Sequence, residues 1–148
     1  MTLVLIDHFG ADRWLCPPFD RAVSYEREDW WNRPSRRGDA WYVQVMEGDA
    51  EVARVELDDP GGINPEHVGV PELGPERLEI QLVEVATAAR GLGVGTAVVR
   101  ALEERHADRR LFAYSEDAHG FWGSLGWDRF DHPFGERVRP LFIQPVRE

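Results

Sequence analysis

A mixed α/β domain is the fold class that this sequence predicts, and three observations predict it. The first half is rich in short β-forming runs, residues 78 to 114 read as strand, helix and strand with a crossover long enough for parallel pairing, and the composition is globular. Of 148 residues, 43% are hydrophobic and 30% charged, as expected of a chain that folds alone around one core. Residues 1–148 are therefore expected to form a single domain with a single site.

Thr2 to Ile6 is a short apolar run of β-formers and reads as the first strand, followed by a turn at Cys16-Pro17-Pro18. Asp20 is an N-cap candidate for a helix through Trp31, which Pro34 stops from continuing. Ala40–Met46 and Ala50–Leu57 flank Glu47-Gly48-Asp49, the chemistry of an antiparallel hairpin. Prolines at 60, 65, 71 and 75 with glycines at 61, 62, 69 and 74 exclude helix and central strand from residues 59 to 76. That stretch reads as a long surface loop, a lid, a binding loop or an insertion.

Leu78–Val85 is the next strand, with Leu78, Ile80 and Leu82 on one face and Glu79, Gln81, Val83 and Val85 on the other. Past the glycines at 91, 93 and 95, a helix ending near Asp108 carries a stripe of Val94, Val98, Ala101, Leu102 and Arg105, with Arg100, Glu103 and Glu104 off it. Leu111–Tyr114 is a strand, and Ser115 to Leu125 a helix capped by Ser115 and closed near Gly126. Trp127–Phe130 and Leu141–Val146 complete the sheet.

Charge and cysteine content exclude several functions. Seventeen Lys+Arg against 27 Asp+Glu leave a net charge of −10, which opposes a polyanionic nucleic-acid partner. No stretch is apolar enough for a membrane span, and the N-terminal residues lack the basic and apolar regions of a secretion signal. The single cysteine, Cys16, excludes an internal disulfide and any CxxC motif, so a cytoplasmic protein is expected. His8, His67, His106, His119 and His132 are scattered without metal-ligand spacing, and no metal is expected. Gly123-Ser124-Leu125-Gly126 lacks the glycine that a hydrolase elbow needs at 122.

Chemistry concentrates in the turn Arg90-Gly91-Leu92-Gly93-Val94-Gly95-Thr96. Glycines allow a tight strand-to-helix turn and close approach of a ligand, while unpaired N–H groups at the start of the helix attract phosphate. Neither the P-loop nor the G-x-G-x-x-G dinucleotide fingerprint matches its spacing. The segment resembles motif A of the GNAT superfamily of acetyl-CoA-dependent N-acetyltransferases, Arg/Gln-x-x-Gly-x-Gly/Ala, filled by Arg90, Gly93 and Gly95. Ser115, Ala118, Phe121, Trp122, Gly126 and Trp127 keep the spacing of a second family pattern, Asn-x-x-Ala-x-x-Phe-Tyr-x-x-x-Gly-Phe.

The resemblance implies an acyl-CoA N-acyltransferase fold, with a central, mostly antiparallel twisted sheet splayed at its parallel fourth and fifth strands (78–85 and 111–114) and flanked by helices. It implies acetyl-CoA as co-substrate, its pantetheine arm beside Val83 and Val85 and its pyrophosphate on the N–H groups of Arg90, Gly91, Leu92, Gly93, Val94, Gly95 and Thr96, with Ser115, Phe121 and Trp122 also at the cofactor. Acetyl would pass to the primary amine of a small molecule or peptide by direct attack in a ternary complex. Glu79 is the expected general base, Glu84 the second choice, and the Val85 N–H the donor to the thioester carbonyl. Trp122 replaces a tyrosine that in many members protonates the departing thiolate; indole is too weak an acid, so Tyr114, Ser115, His119 or water must take that part. Among Trp14, Tyr25, Trp30, Trp31 and Trp41, one or two are expected to touch the acceptor and the rest to pack the core. A homodimer is compatible with the sequence. The alternative reading is a non-catalytic acyl-CoA-binding or regulatory module.

Overall fold

The computed structural model describes residues 1–10, 17–32 and 40–146. Cys16, Trp14 and Pro34, singled out above, lie outside the described residues. The chain divides into two compact units, Met1–Asp58 with Gln81–Leu102, and Asp59–Ile80 with Glu103–Glu148. Strand β4 (Arg77–Val85) contributes to both, and its neighbours define one strand order: β1 (Val4–Phe9), β2 (Trp41–Glu47), β3 (Ala50–Asp58), β4, β5 (Arg110–Tyr114), β7 (Leu141–Ile143) and β6 (Asp128–Phe130). Pairing is antiparallel between β1 and β2, β2 and β3, β5 and β7, and β6 and β7, and parallel between β4 and β5. This is the mixed α/β, mostly antiparallel architecture that the sequence predicts.

In the first unit, β1 (Val4–Phe9) lies along β2 (Trp41–Glu47) from Val4↔Met46 to Phe9↔Trp41. Strand β2 turns into β3 (Ala50–Asp58) through Gly48-Asp49, with Glu47 opposite Ala50. Gly48 takes φ +59° there, a conformation in which a side chain is strained. Helix α2 (Val94–Arg105) buries Val94, Val98, Val99 and Leu102, the spacing of one helical face.

The stretch from Asp20 departs from expectation. Only Glu28–Trp31 is helical (α1), and the Asp20 carboxylate caps a local turn by accepting from Ala22 N at 2.9 Å. Buried charge supplies the reason. Glu51 and Arg54 on β3 are 3% and 6% exposed; Arg54 Nη2 donates (2.7 Å) to the Asp20 carbonyl that a helix would have used for its first bond, and Asp20 N donates to Glu51 (3.0 Å). Glu51 also accepts from Tyr25 OH (2.9 Å), Gln44 Nε2 (2.9 Å) and Arg54 Nε (2.8 Å), which saturates its lone pairs. The Arg54 guanidinium lies over Tyr25 and Phe19, 3.9 and 4.9 Å from their ring centres. Tyr25 and Trp31 then join Ala40, Tyr42 and Ala86 in an apolar cluster.

The second unit carries β5 (Arg110–Tyr114), α3 (His119–Ser124), β6 (Asp128–Phe130) and β7 (Leu141–Ile143). Pairing of β4 with β5 runs from Arg77↔Arg110 to Glu79↔Phe112. Residues 59–76 form no helix or strand, as expected, yet they are more than a surface loop. Ile63, Val70 and Leu73 pack on the cluster of Phe112, Leu141 and Ile143, and His67 is buried. Helix α3 begins at His119, later than predicted; Ser115 Oγ still accepts from Ala118 N (3.1 Å), the bond expected of a cap, in the turn that leads into it. Glu103 is buried where the periodicity left it exposed, and Arg105 is exposed where it was expected on the stripe. The Trp127 indole donates to Glu103 Oε2 at 3.0 Å, a partner that lies outside the helical period.

Replacing Glu51 by Gln leaves the Arg54 cation buried without a counter-charge, so Glu51→Gln is expected to cost about 3–5 kcal/mol of folding stability. Urea denaturation checks this, and an unchanged midpoint would contradict it.

Candidate active site

In the first unit, the last residues of β4 present two different faces. Ala86 N donates to Val52 O on β3 at 2.8 Å, so by strand alternation the N–H groups of Val83 and Val85 are directed to the edge of β4 away from β3. Glu84 between them is buried and fully engaged. Its carboxylate accepts from Trp31 Nε1 (2.8 Å), from Arg27 N (2.9 Å) and from Arg90 Nη2 (3.4 Å). Trp31 is thereby a core and anchoring residue, 2% exposed.

A short 3₁₀ turn, Thr87–Ala89, leads from β4 into the glycine segment. Gly91 and Gly93 both have φ +77°, and a Cβ added at either would meet nothing within 4 Å. The first bond of α2 is Ala97 N to Gly93 O at 3.1 Å, so the N–H groups of Val94, Gly95 and Thr96 precede the helical ladder, at the positive end of its dipole. Open space over the glycines together with these donors fits a phosphate-bearing ligand. Leu92 is 67% exposed on the same turn. Arg90 differs from a free phosphate-binding cation: its guanidinium bridges Glu84 and Glu26, at 3.4 and 3.5 Å.

In the second unit, Glu79 is 6% exposed and faces a turn within the 59–76 segment. Gly62 N donates to Glu79 Oε1 at 3.3 Å. The Tyr114 hydroxyl donates to Gly62 O (3.0 Å) and accepts from Asn64 N (2.7 Å), so Glu79 and Tyr114 meet through this turn. Burial pushes the Tyr114 phenol above its ordinary pKa, and the charge of Glu79 acts in the same direction. The Asp-Pro-Gly-Gly run is a turn signal in the sequence, but nothing in one dimension shows that it folds back on Glu79.

Ser115, just past β5, is 1% exposed and bonds His119 Nδ1 through Oγ at 2.7 Å. The other ring nitrogen of His119 faces Glu136 at 3.7 Å. A carboxylate on that side favours hydrogen on Nε2, which leaves Nδ1 to accept from the serine hydroxyl. Glu136 was missed from sequence because it lies in a separate turn, 17 positions beyond His119. Phe121 is half-buried, and Trp122, 4% exposed, packs between Phe121 and Trp127 with ring centres 5.1 and 4.9 Å away. Among the described residues no group of three His, Cys, Asp or Glu side chains could hold a metal ion, and no helix is long and apolar enough to cross a membrane.

Comparison with known proteins gives a family and a fold. The acetyltransferase (GNAT) family model matches residues 7–127. No curated protein matches the chain in sequence. Among solved structures, an acetyltransferase from Thermus thermophilus is 16% identical with a TM-score of 0.54, covering 72% of this chain; the chain spans 64% of that protein's length. The Bacillus subtilis N-acetyltransferase YlbP in complex with coenzyme A is 17% identical, with a TM-score of 0.53 over 80% of this chain and 73% of its own. AtaTR bound with acetyl-CoA is 16% identical, with a TM-score of 0.58 over 95% of this chain and 92% of its own. At these identities the likeness is one of fold. With the family model covering residues 7–127 of 148 and both sequence patterns in order, the chain belongs to the acetyltransferase (GNAT) family.

Proposed function

We propose that this protein transfers the acetyl group of acetyl-CoA to the primary amine of a small molecule or peptide, by direct attack in a ternary complex. One observation carries the reading: a glycine turn open to solvent, at the start of α2, follows a strand whose Val83 and Val85 N–H groups are directed away from β3. Val83 and Val85 would bind the pantetheine amides. The backbone from Arg90 to Thr96, with Gly91, Leu92, Gly93, Val94 and Gly95 between, would cradle the pyrophosphate. The co-substrate supplies acetyl as a thioester.

The chain supplies three things to the transfer. Glu79 takes a proton from the ammonium form of the acceptor, directly or through water, so that a neutral nitrogen lone pair attacks. The Val85 N–H donates to the carbonyl oxygen as negative charge develops there. As the carbon–sulfur bond breaks, the Ser115 hydroxyl, released from His119 Nδ1, gives its proton to the thiolate and recovers, through water, the second proton that the attacking nitrogen sheds as the amide forms. Net charge of −10 opposes capture of a polyanionic co-substrate, so local N–H groups bind it, while the acidity can draw a cationic amine.

A non-catalytic acyl-CoA-binding module is the second reading, favoured by Trp122 at the tyrosine position and its burial at 4% exposure. Acetyl-CoA bound tightly with no transfer to any of a panel of polyamines, aminoglycosides, amino acids and peptides would select it.

Calorimetric titration is expected to show one acetyl-CoA per chain, and Gly93→Val to weaken binding at least about tenfold, or 1.4 kcal/mol, through strain at positive φ and crowding of the cradle. No heat at millimolar ligand would remove the co-substrate from the proposal. For the base, only the ionised carboxylate accepts a proton, so activity should fall as pH drops through the Glu79 pKa. Glu79→Gln is expected to lose that acid limb and about 10²–10⁴ of kcat; rates equal to those of the parent protein across the pH range would exclude Glu79.

A further inference from the structure

The turn from Asp59 to Gly62 is fastened from several sides. Arg109 pairs with the Asp59 carboxylate, Arg77 Nε donates to Gly61 O at 3.1 Å, and Tyr114 holds both Gly62 O and Asn64 N through one hydroxyl. Gly61 approaches β4 so closely that a Cβ there would lie 2.4 Å from Glu79 Cβ, 2.7 Å from its Oε1 and 3.0 Å from Phe112 Cζ. Its φ of +81° excludes a side chain a second time. The contact that this close approach makes possible is the Gly62 N–H on the Glu79 carboxylate.

A surface loop needs no such contact with a buried acid. An N–H donor stabilises the ionised form and fixes the direction of an oxygen, two properties that a general base requires. We propose that the Gly61-Gly62 turn is a positioning element for Glu79, and that Tyr114 is the positioning residue that holds the turn in place. The inference rests on Glu79 being the base, as proposed above. Tyr114 then acts on the base through Gly62 N–H and stays out of thiolate protonation. Among the described residues, charged groups at the turn include Arg77 and the Asp59–Arg109 pair, and the charge of Arg139 acts on Tyr114.

The test is Tyr114→Phe, which deletes both hydroxyl bonds and keeps the ring. Loss of the hold on Gly62 withdraws a donor from the carboxylate, so the Glu79 carboxyl, followed by ¹³C NMR on the full chain, is expected to titrate at higher pH than in the parent protein. With the best amine from the panel, kcat should fall about tenfold, as for a misplaced catalytic group, and the acid limb should move up in step, while KM for acetyl-CoA stays within about twofold. A Glu79 titration that stays put or moves down overturns the proposal whatever the kinetics. A titration that moves while the acid limb does not keeps the contact and overturns the base assignment, so the two failures are distinguishable. Gly61→Ala, where it folds, is expected to displace Glu79 and lower kcat at least as far; a kcat within about twofold of the parent's overturns the proposal.

Discussion

Taking a carboxylate out of water costs several kcal/mol unless donors replace the lost hydration, and four glutamates of this chain meet that demand by binding other segments. Glu51 gathers the backbone at Asp20 together with Tyr25, Gln44 and Arg54. Glu84 holds Arg27, Trp31 and Arg90; Glu79 holds Gly62; Glu103 holds Trp127. In each case a regular element carries the acid, and the donors come wholly or partly from turns or short irregular stretches. Segments without a repeating hydrogen-bond pattern thereby acquire one conformation.

This arrangement separates fixed parts from open ones. Residues 17–31 surround saturated carboxylates and contribute aromatic bulk to the core, so they have little freedom to follow a ligand. The glycine turn at 91–93 is the opposite case, exposed, with φ values reserved for glycine and with N–H groups that precede the helical ladder. Binding there costs no protein–protein hydrogen bond at those donors, which is why a strand-to-helix turn suits an anion. Arg90 stands between the two cases, half-exposed but drawn to Glu84 and Glu26.

Local chemistry made much of the fold legible. The hairpin at Gly48-Asp49, the strand–helix–strand unit, the close of α3 at Gly126 and the absence of regular structure from 59 to 76 all follow from turn residues and apolar period, which act over a few positions. The same holds for the glycine turn of the candidate site. The helix from Asp20 shortened to four residues because a buried arginine on β3, distant in sequence, took the Asp20 carbonyl. Glu103 was misplaced for a related reason: helical periodicity sorts side chains by polarity, and an indole N–H from beyond β5 made a buried glutamate acceptable.

By itself the sequence determined the fold class, the family and the glycine turn, because these depend on residue identity at short, regular spacings. Tertiary structure alone decided what the candidate acid–base groups touch. The hydroxyl of Tyr114, the hydrogen-bond partner of Ser115, the saturation of Glu84 and the close approach of Gly61 to Glu79 join positions 4 to 57 residues apart. The environment of a titratable group is set by whatever the folded chain places within a few ångströms of it, and most of these neighbours have no signature at fixed sequence spacing.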